Sequence, residues 1–222
     1  MKILIVSDEE CPALWDYYTP GKLKQYDLIL SCGDLKAKYL SFLVTMARCP
    51  LLYIHGNHDS HYQTDRPEGC DCIEDQIVVY NGIRILGLGG CRRYNVGRHQ
   101  YTEEEMRRRI RKLRWKLWRT GGVDIVVTHA APEGLGDGED PAHWGFAALR
   151  ELLDKYQPKY LVHGHVHLSY GQEMVREVEY GPTKVVNGCE RYEIEIPEGE
   201  YPPRQRNQLI YRTKYRDIYK EY

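Results

Sequence analysis

Short apolar runs of strand length recur along the chain: Lys2–Val6, Asp27–Ser31, Leu51–Ile54, Gln76–Val79, Ile83–Leu88, Asp124–Thr128 and Tyr160–His163. Between some of them, apolar residues return at helical spacing. Leu35, Tyr39, Phe42, Leu43 and Met46 share a face over Leu35–Ala47, and Phe146, Leu149, Leu152 and Leu153 do so over Gly145–Tyr156, with Pro158 as a stop. Thr102 with Glu105 reads as a capping box that opens a third helix. Its buried stripe is Met106, Ile110, Leu113 and Leu117, and Gly121-Gly122 ends it. Strands alternating with helices predict an α/β protein built in layers. After Gly164 the helical signal fades. Gln172–Tyr180, Lys184–Val186 and Tyr192–Ile196 read as antiparallel strands joined through Gly181-Pro182 and Asn187-Gly188. One domain over 1–196 is expected, followed by 197–222, richer in Tyr, Arg and Pro, as a tail or short extra element.

Composition narrows the class. A chain of 222 residues with 42% hydrophobic and 28% charged residues has enough material for one full core. A net charge of −1 argues against whole-surface attraction to nucleic acid or membrane. The stretch Arg107–Arg119 is locally very basic. A solvated helix face is the favoured reading over a phosphate-contact surface, because acids open the helix and no aromatic interleaving on its exposed face argues strongly otherwise. No apolar run approaches the roughly 18 residues of a spanning helix, and Met1–Val6 reads as a strand rather than an export signal. Seven cysteines, an odd number, point to reduced thiols in a cytoplasm. The pair Cys70 and Cys72 is a weak metal candidate, since zinc sites more often use a two-residue spacer.

The chemistry stands at the strand ends. Ser7-Asp8-Glu9-Glu10, Cys32-Gly33-Asp34, His55-Gly56-Asn57-His58-Asp59, His129 and Gly164-His165-Val166-His167 each come at the carboxyl end of a separate predicted strand. Taken singly, Asp34 after Gly33 is usually a turn residue and His129 an ordinary histidine. Five such coincidences exceed what packing requires, because in open α/β sheets those ends line one crevice.

The order and spacing of these blocks resemble the calcineurin-like metallophosphoesterase superfamily, whose pattern runs D-x-H, G-D, G-N-H-D/E, a lone His and G-H-x-H. Four of the five blocks match, between Gly33 and His167. The resemblance implies a four-layer α/β/β/α sandwich with two mixed sheets and a dinuclear centre. Asp34 matches the bridging carboxylate. The first ion takes Asp8, Asp34, His167 and position 10, and the second takes Asp34, Asn57, His129 and His165. The implied reaction is phosphoester hydrolysis by a metal-bridging hydroxide. His58 donates the proton to the leaving oxygen and Asp59 supports His58. Mn is the expected ion, with Fe, Zn, Co or Mg as alternatives.

The first block departs from the pattern, with Glu10 where the family has histidine. On an extended chain residues 8 and 10 face one side, so Glu10 is expected as a carboxylate ligand; the opposing reading turns it away and leaves the first ion weakly held. As a ligand it lowers the charge of the centre and favours harder ions and a mildly alkaline optimum. For substrate, Arg92 or Arg93 is placed to grip a phosphate oxygen, and His143, in the Gly/Pro-rich loop after His129, to line the site. The expected substrate is a phosphorylated small molecule or nucleotide, a diester slightly ahead of a monoester, with nucleic acid a weaker alternative. Nothing in the sequence fixes an oligomeric state. The contrasting reading is an inactive scaffold that keeps the fold for protein interaction.

Overall fold

The structure, a computed structural model, describes residues 1–167, 175–197 and 199. The expected start of a strand at Gln172 and nearly all of the 197–222 segment lie outside the described residues.

The first sheet holds β1 (Lys2–Val6), β2 (Leu28–Ser31), β3 (Leu51–Tyr53) and β4 (Asp71–Cys72), all parallel. The second holds β5 (Gln76–Tyr80) and β6 (Ile83–Leu88), then, past a two-stranded ladder of β7 (Cys91–Arg92) and β8 (Gln100–Tyr101), β9 (Ile125–Thr128), β10 (Tyr160–His163), β11 (Glu177–Tyr180) and β12 (Thr183–Asn187). Strand β13 (Tyr192–Glu195) returns to the first sheet, antiparallel to β1. Strands β6, β9, β10 and β12 are parallel, and β5 and β11 close the edges antiparallel.

Alternation along the strands builds the layers. Ile3, Ile5, Leu28, Leu30 and Leu52 face Ile85, Ile125, Val127, Val162 and Val186 in a dry seam between the sheets. The opposite side chains of the first sheet, Leu4, Val6, Ile29 and Leu51, pack on helix α1 (Ala37–Ala47). Those of the second, Leu86, Val126, Leu161 and Val185, pack beneath α2 (Glu103–Thr120) and α3 (Ala147–Tyr156). The result is the four-layer α/β/β/α sandwich with two mixed sheets. Because both faces of the central strands are buried, they read in sequence as continuous apolar runs.

Helix α2 begins on the expected Thr102–Glu105 capping box and ends on left-handed Gly121. Two features depart from expectation. Arg109, counted with the solvated face, is buried against Glu74, Asp75 and the carbonyl of Gly89. And the exposed face does carry aromatics: Trp115 and Trp118, 62% and 70% exposed, stack at 4.8 Å. Three residues apart, they share the side of the helix that faces away from Leu113 and Leu117. This end of α2 leads directly into the start of β9, so the Trp pair lies toward the amino end of that strand, whereas His129 follows its carboxyl end.

Candidate metal centre

Each candidate residue sits just past the carboxyl end of a parallel strand: Asp8 after β1, Asp34 after β2, Asn57 and His58 after β3, His129 after β9, His165 and His167 after β10. The loops of the two sheets meet there. Asp8, Asp34 and His165 all have left-handed backbones, with φ of 64°, 57° and 67°. Such conformations are uncommon for residues with a Cβ and concentrate at functional sites.

Asp34, His129 and His165 offer ligand atoms within 4.8 Å of one another. His129 is fully buried. Its Nδ1 lies 2.8 Å from the carbonyl oxygen of Cys32, which only accepts, so Nδ1 carries the proton. Nε2 then faces two more acceptors, Asn57 Oδ1 at 2.9 Å and Asp34 Oδ2 at 3.3 Å. A nitrogen lone pair, an amide oxygen and a carboxylate aimed at one point require a cation. In the protein alone a proton fills that role: burial opposes a charged His129, but Asp34 wins and raises its pKa to about 9. Asp34 is likewise opposed by burial, yet His129 and the His58 N–H lower it to about 2. His165 stays neutral, its pKa pushed down to about 3 by burial and then by His129. Its Nε2 donates to Ala142 O at 2.7 Å, which leaves Nδ1 as the free lone pair. Asp34, Asn57, His129 and His165 thus fit a divalent ion.

Two close approaches make this geometry possible. A Cβ on Gly56 would overlap the Asp34 carboxylate and the His129 ring, and one on Gly164 would overlap Ser7 and Asp8. Gly56→Ala is therefore expected to keep the fold and displace Asp34. Its metal-dependent turnover should fall about 100-fold, the usual cost of an ångström of misplacement. A variant within a few-fold of wild type in a bis-p-nitrophenyl phosphate assay refutes this.

The other candidates are distributed differently. His58, with its side chain 76% exposed, stands at the rim with Nε2 4.0 Å from Asp34 Oδ2. Asp59 does not support the His58 ring: its Oδ2 accepts from the backbone N–H groups of Asp34 and Gly56, both at 2.8 Å, and so ties the β2 and β3 loops together. Its pKa is raised to about 6 by burial and then by Asp34. Asp8 accepts the His165 N–H on both oxygens at 3.0 Å. Arg93 is spent on Glu105 at 2.9 Å, and Arg92 donates to Gly145 O at 3.3 Å beside Trp144. His143 pairs with Asp140 at 2.6 Å, its ring 5.1 Å from that of His165. Tyr94, which no sequence motif marks out, accepts from Asn57 Nδ2 at 3.3 Å. Its position right after the Arg92-Arg93 loop was the available signal.

Glu10 belongs to neither cluster of ligand atoms among the described residues; its carboxylate takes the Lys36 ammonium at 3.1 Å and the Lys36 N–H at 3.3 Å, at the start of α1. The carboxylate beside His167 is Glu9, with Oε1 2.9 Å from Nδ1. The reason is local. Residues 8 and 10 share a side only on an extended chain, but Asp8 is left-handed and the Glu9 N–H folds back to Ser7 O at 2.7 Å.

Two facing mixed sheets with carboxylate, amide and imidazole groups gathered at one end define the metallo-dependent phosphatase fold. The sequence pattern of the calcineurin-like phosphoesterase family matches residues 1–169, and the chain belongs to that family. It is 25% identical over 198 residues to a Haemophilus influenzae protein described only as uncharacterized, covering 70% of this chain and 80% of that one. It is 25% identical over 217 residues to the lariat debranching enzyme of Entamoeba histolytica, covering 81% of this chain and 55% of that enzyme. Among solved structures, TT1561 of Thermus thermophilus superposes with a TM-score of 0.58 at 17% identity, covering 85% of this chain and 88% of that one. Among the described residues no helix is long and apolar enough to cross a membrane.

Proposed function

We propose that this protein is a metal-dependent phosphodiesterase acting on a small or nucleotide-type phosphate ester, with Mn as the ion at Asp34, Asn57, His129 and His165. The observation that carries the reading is the convergence of those four side chains from both sheets on one point, beneath an exposed histidine. When bound, divalent ions supply Lewis acidity and an acidified water. The chain's own residues do the rest. Asp34 would hold a bound ion with its carboxylate, and Cys32 O and Ala142 O fix the tautomers of His129 and His165. Asp59 holds the Asp34 and Gly56 backbones in register. His58, over Asp34 at the rim, protonates the leaving oxygen.

The exposure of His58 supports a diester over a closely enclosed monoester, and so does the resemblance to a lariat debranching enzyme. A nucleic-acid substrate drawn in along α2 fits less well, because Trp115 and Trp118 lie toward the amino end of β9, the end away from His129. All seven cysteines lie among the described residues and none is in a disulfide, which supports a reducing, cytoplasmic setting. The position of Glu10 on Lys36 favours one second reading, a scaffold that binds metal without turnover. Assays of bis-p-nitrophenyl and p-nitrophenyl phosphate with added Mn separate the two, and metal uptake without hydrolysis supports the scaffold. His58→Ala sharpens the test. An alkyl leaving group, which needs a proton, should lose about 100-fold or more in rate, and p-nitrophenolate much less. Equal losses for both leaving groups refute proton donation by His58.

A further inference from the structure

The ligand set that the family resemblance implies for the first ion does not assemble here, since Glu10 is held by Lys36. A different set does. Glu9, His167 and Cys189 each offer one ligand atom, and these atoms lie within 4.8 Å of one another. Cys189 follows β12, which is parallel to β10, so it arrives at the same end of the sheets as His167. Its backbone is pinned beside the first loop by a bridge to Ser7, by Glu190 N–H to Ser7 O at 2.9 Å, and by its own N–H to Asn187 Oδ1 at 2.9 Å. The turn at Asp8 that carries Glu10 away delivers Glu9 to this point. No residue of this trio belongs to the Asp34–His129–His165 group.

We infer that the first metal position of this protein is a thiolate site formed by Glu9, His167 and Cys189. Sulfur, imidazole and carboxylate together select a borderline-soft ion such as zinc, cobalt or ferrous iron, whereas the oxygen- and nitrogen-rich second position suits Mn. Binding replaces the Cys189 thiol proton by the metal–sulfur bond and releases that proton to solvent, with no change of oxidation state. Two ions in one crevice would thus be held by chemically unlike ligand sets. The inference rests on the dinuclear reading above, but its test reads the ion and not turnover.

The test is cobalt titration of the chelator-treated full chain, followed by metal analysis and by the near-ultraviolet thiolate-to-cobalt charge-transfer band. The wild type should show the band and take up two ions. Cys189→Ser should lose the band and one ion, and Glu9→Gln, at an exposed position that leaves folding intact, should weaken the band-forming site at least tenfold. Glu10→Gln should keep both the band and the two ions. Two ions bound with no thiolate band, or loss of an ion in Glu10→Gln but not in Cys189→Ser and Glu9→Gln, overturns the assignment. Uptake of no cobalt at all overturns the metallophosphoesterase reading together with it.

Discussion

Asp34→Asn is expected to lower metal-dependent phosphodiester turnover about a thousandfold or more, roughly 4 kcal/mol of transition-state stabilisation. The change is isosteric. The amide oxygen still accepts the His58 N–H, which reaches Asp34 Oδ1 at 2.8 Å in the native protein, so the loop keeps its path. What is lost is the negative charge opposite His129 and the only carboxylate of the group it forms with His129 and His165. A neutral amide in its place would bind a divalent ion less tightly than the carboxylate does. The measurement is a rate at saturating Mn alongside calorimetric Mn affinity. A variant with native affinity and a rate within tenfold of wild type removes Asp34 from the centre and the proposed chemistry with it.

Arg109→Ala should cause the largest loss of stability, about 3–5 kcal/mol, because it breaks a largely buried ion pair and leaves Glu74 with only His55 and the Gly89 N–H. Burial opposes ionisation of Glu74, and the His55 hydrogen bond and the Arg109 charge outweigh it and hold its pKa below the usual carboxylate range. Arg109 also reaches Asp75 at 2.9 Å and Gly89 O at 2.7 Å, and stacks on Tyr101 at 4.2 Å. For a chain of this size the melting temperature should fall by roughly 6–20 °C. Adding Glu74→Gln removes the charge that has lost its guanidinium and should restore at least half of the loss. Because Glu74 also accepts the His55 N–H at 3.2 Å, two residues before Asn57, metal affinity should weaken in the single variant. A thermal scan showing less than a 2 °C shift rules this account out.

Some of this was legible in the order of residues. The apolar runs place β1, β2, β3, β6, β9 and β10 within a residue of where they lie, because central strands buried on both faces have few polar interruptions. The capping box and the Gly121 stop fix α2 by local hydrogen bonding alone. The short β4 and the β7–β8 ladder left no pattern, since two residues carry no period. Trp115 and Trp118 are readable as a pair on one helix face from their three-residue spacing. Arg109 was not readable: its partner Glu74 is 35 positions away and only the packing of α2 on the second sheet joins them.

At the site the division is sharper. Residue type and position after each strand determined which side chains gather, because in parallel sheets every strand's carboxyl end points the same way. Which of two neighbouring glutamates enters the crevice was decided by the tertiary structure. The left-handed Asp8 turn is held between loops of both sheets, with its N–H on Gly33 O at 3.1 Å and its carboxylate on the His165 N–H. A one-residue change of facing follows from a backbone angle that contacts distant in sequence impose, and no pattern within Ser7-Asp8-Glu9-Glu10 encodes it. The same contacts bring Cys189, which no sequence pattern marks as a ligand, to the side of His167.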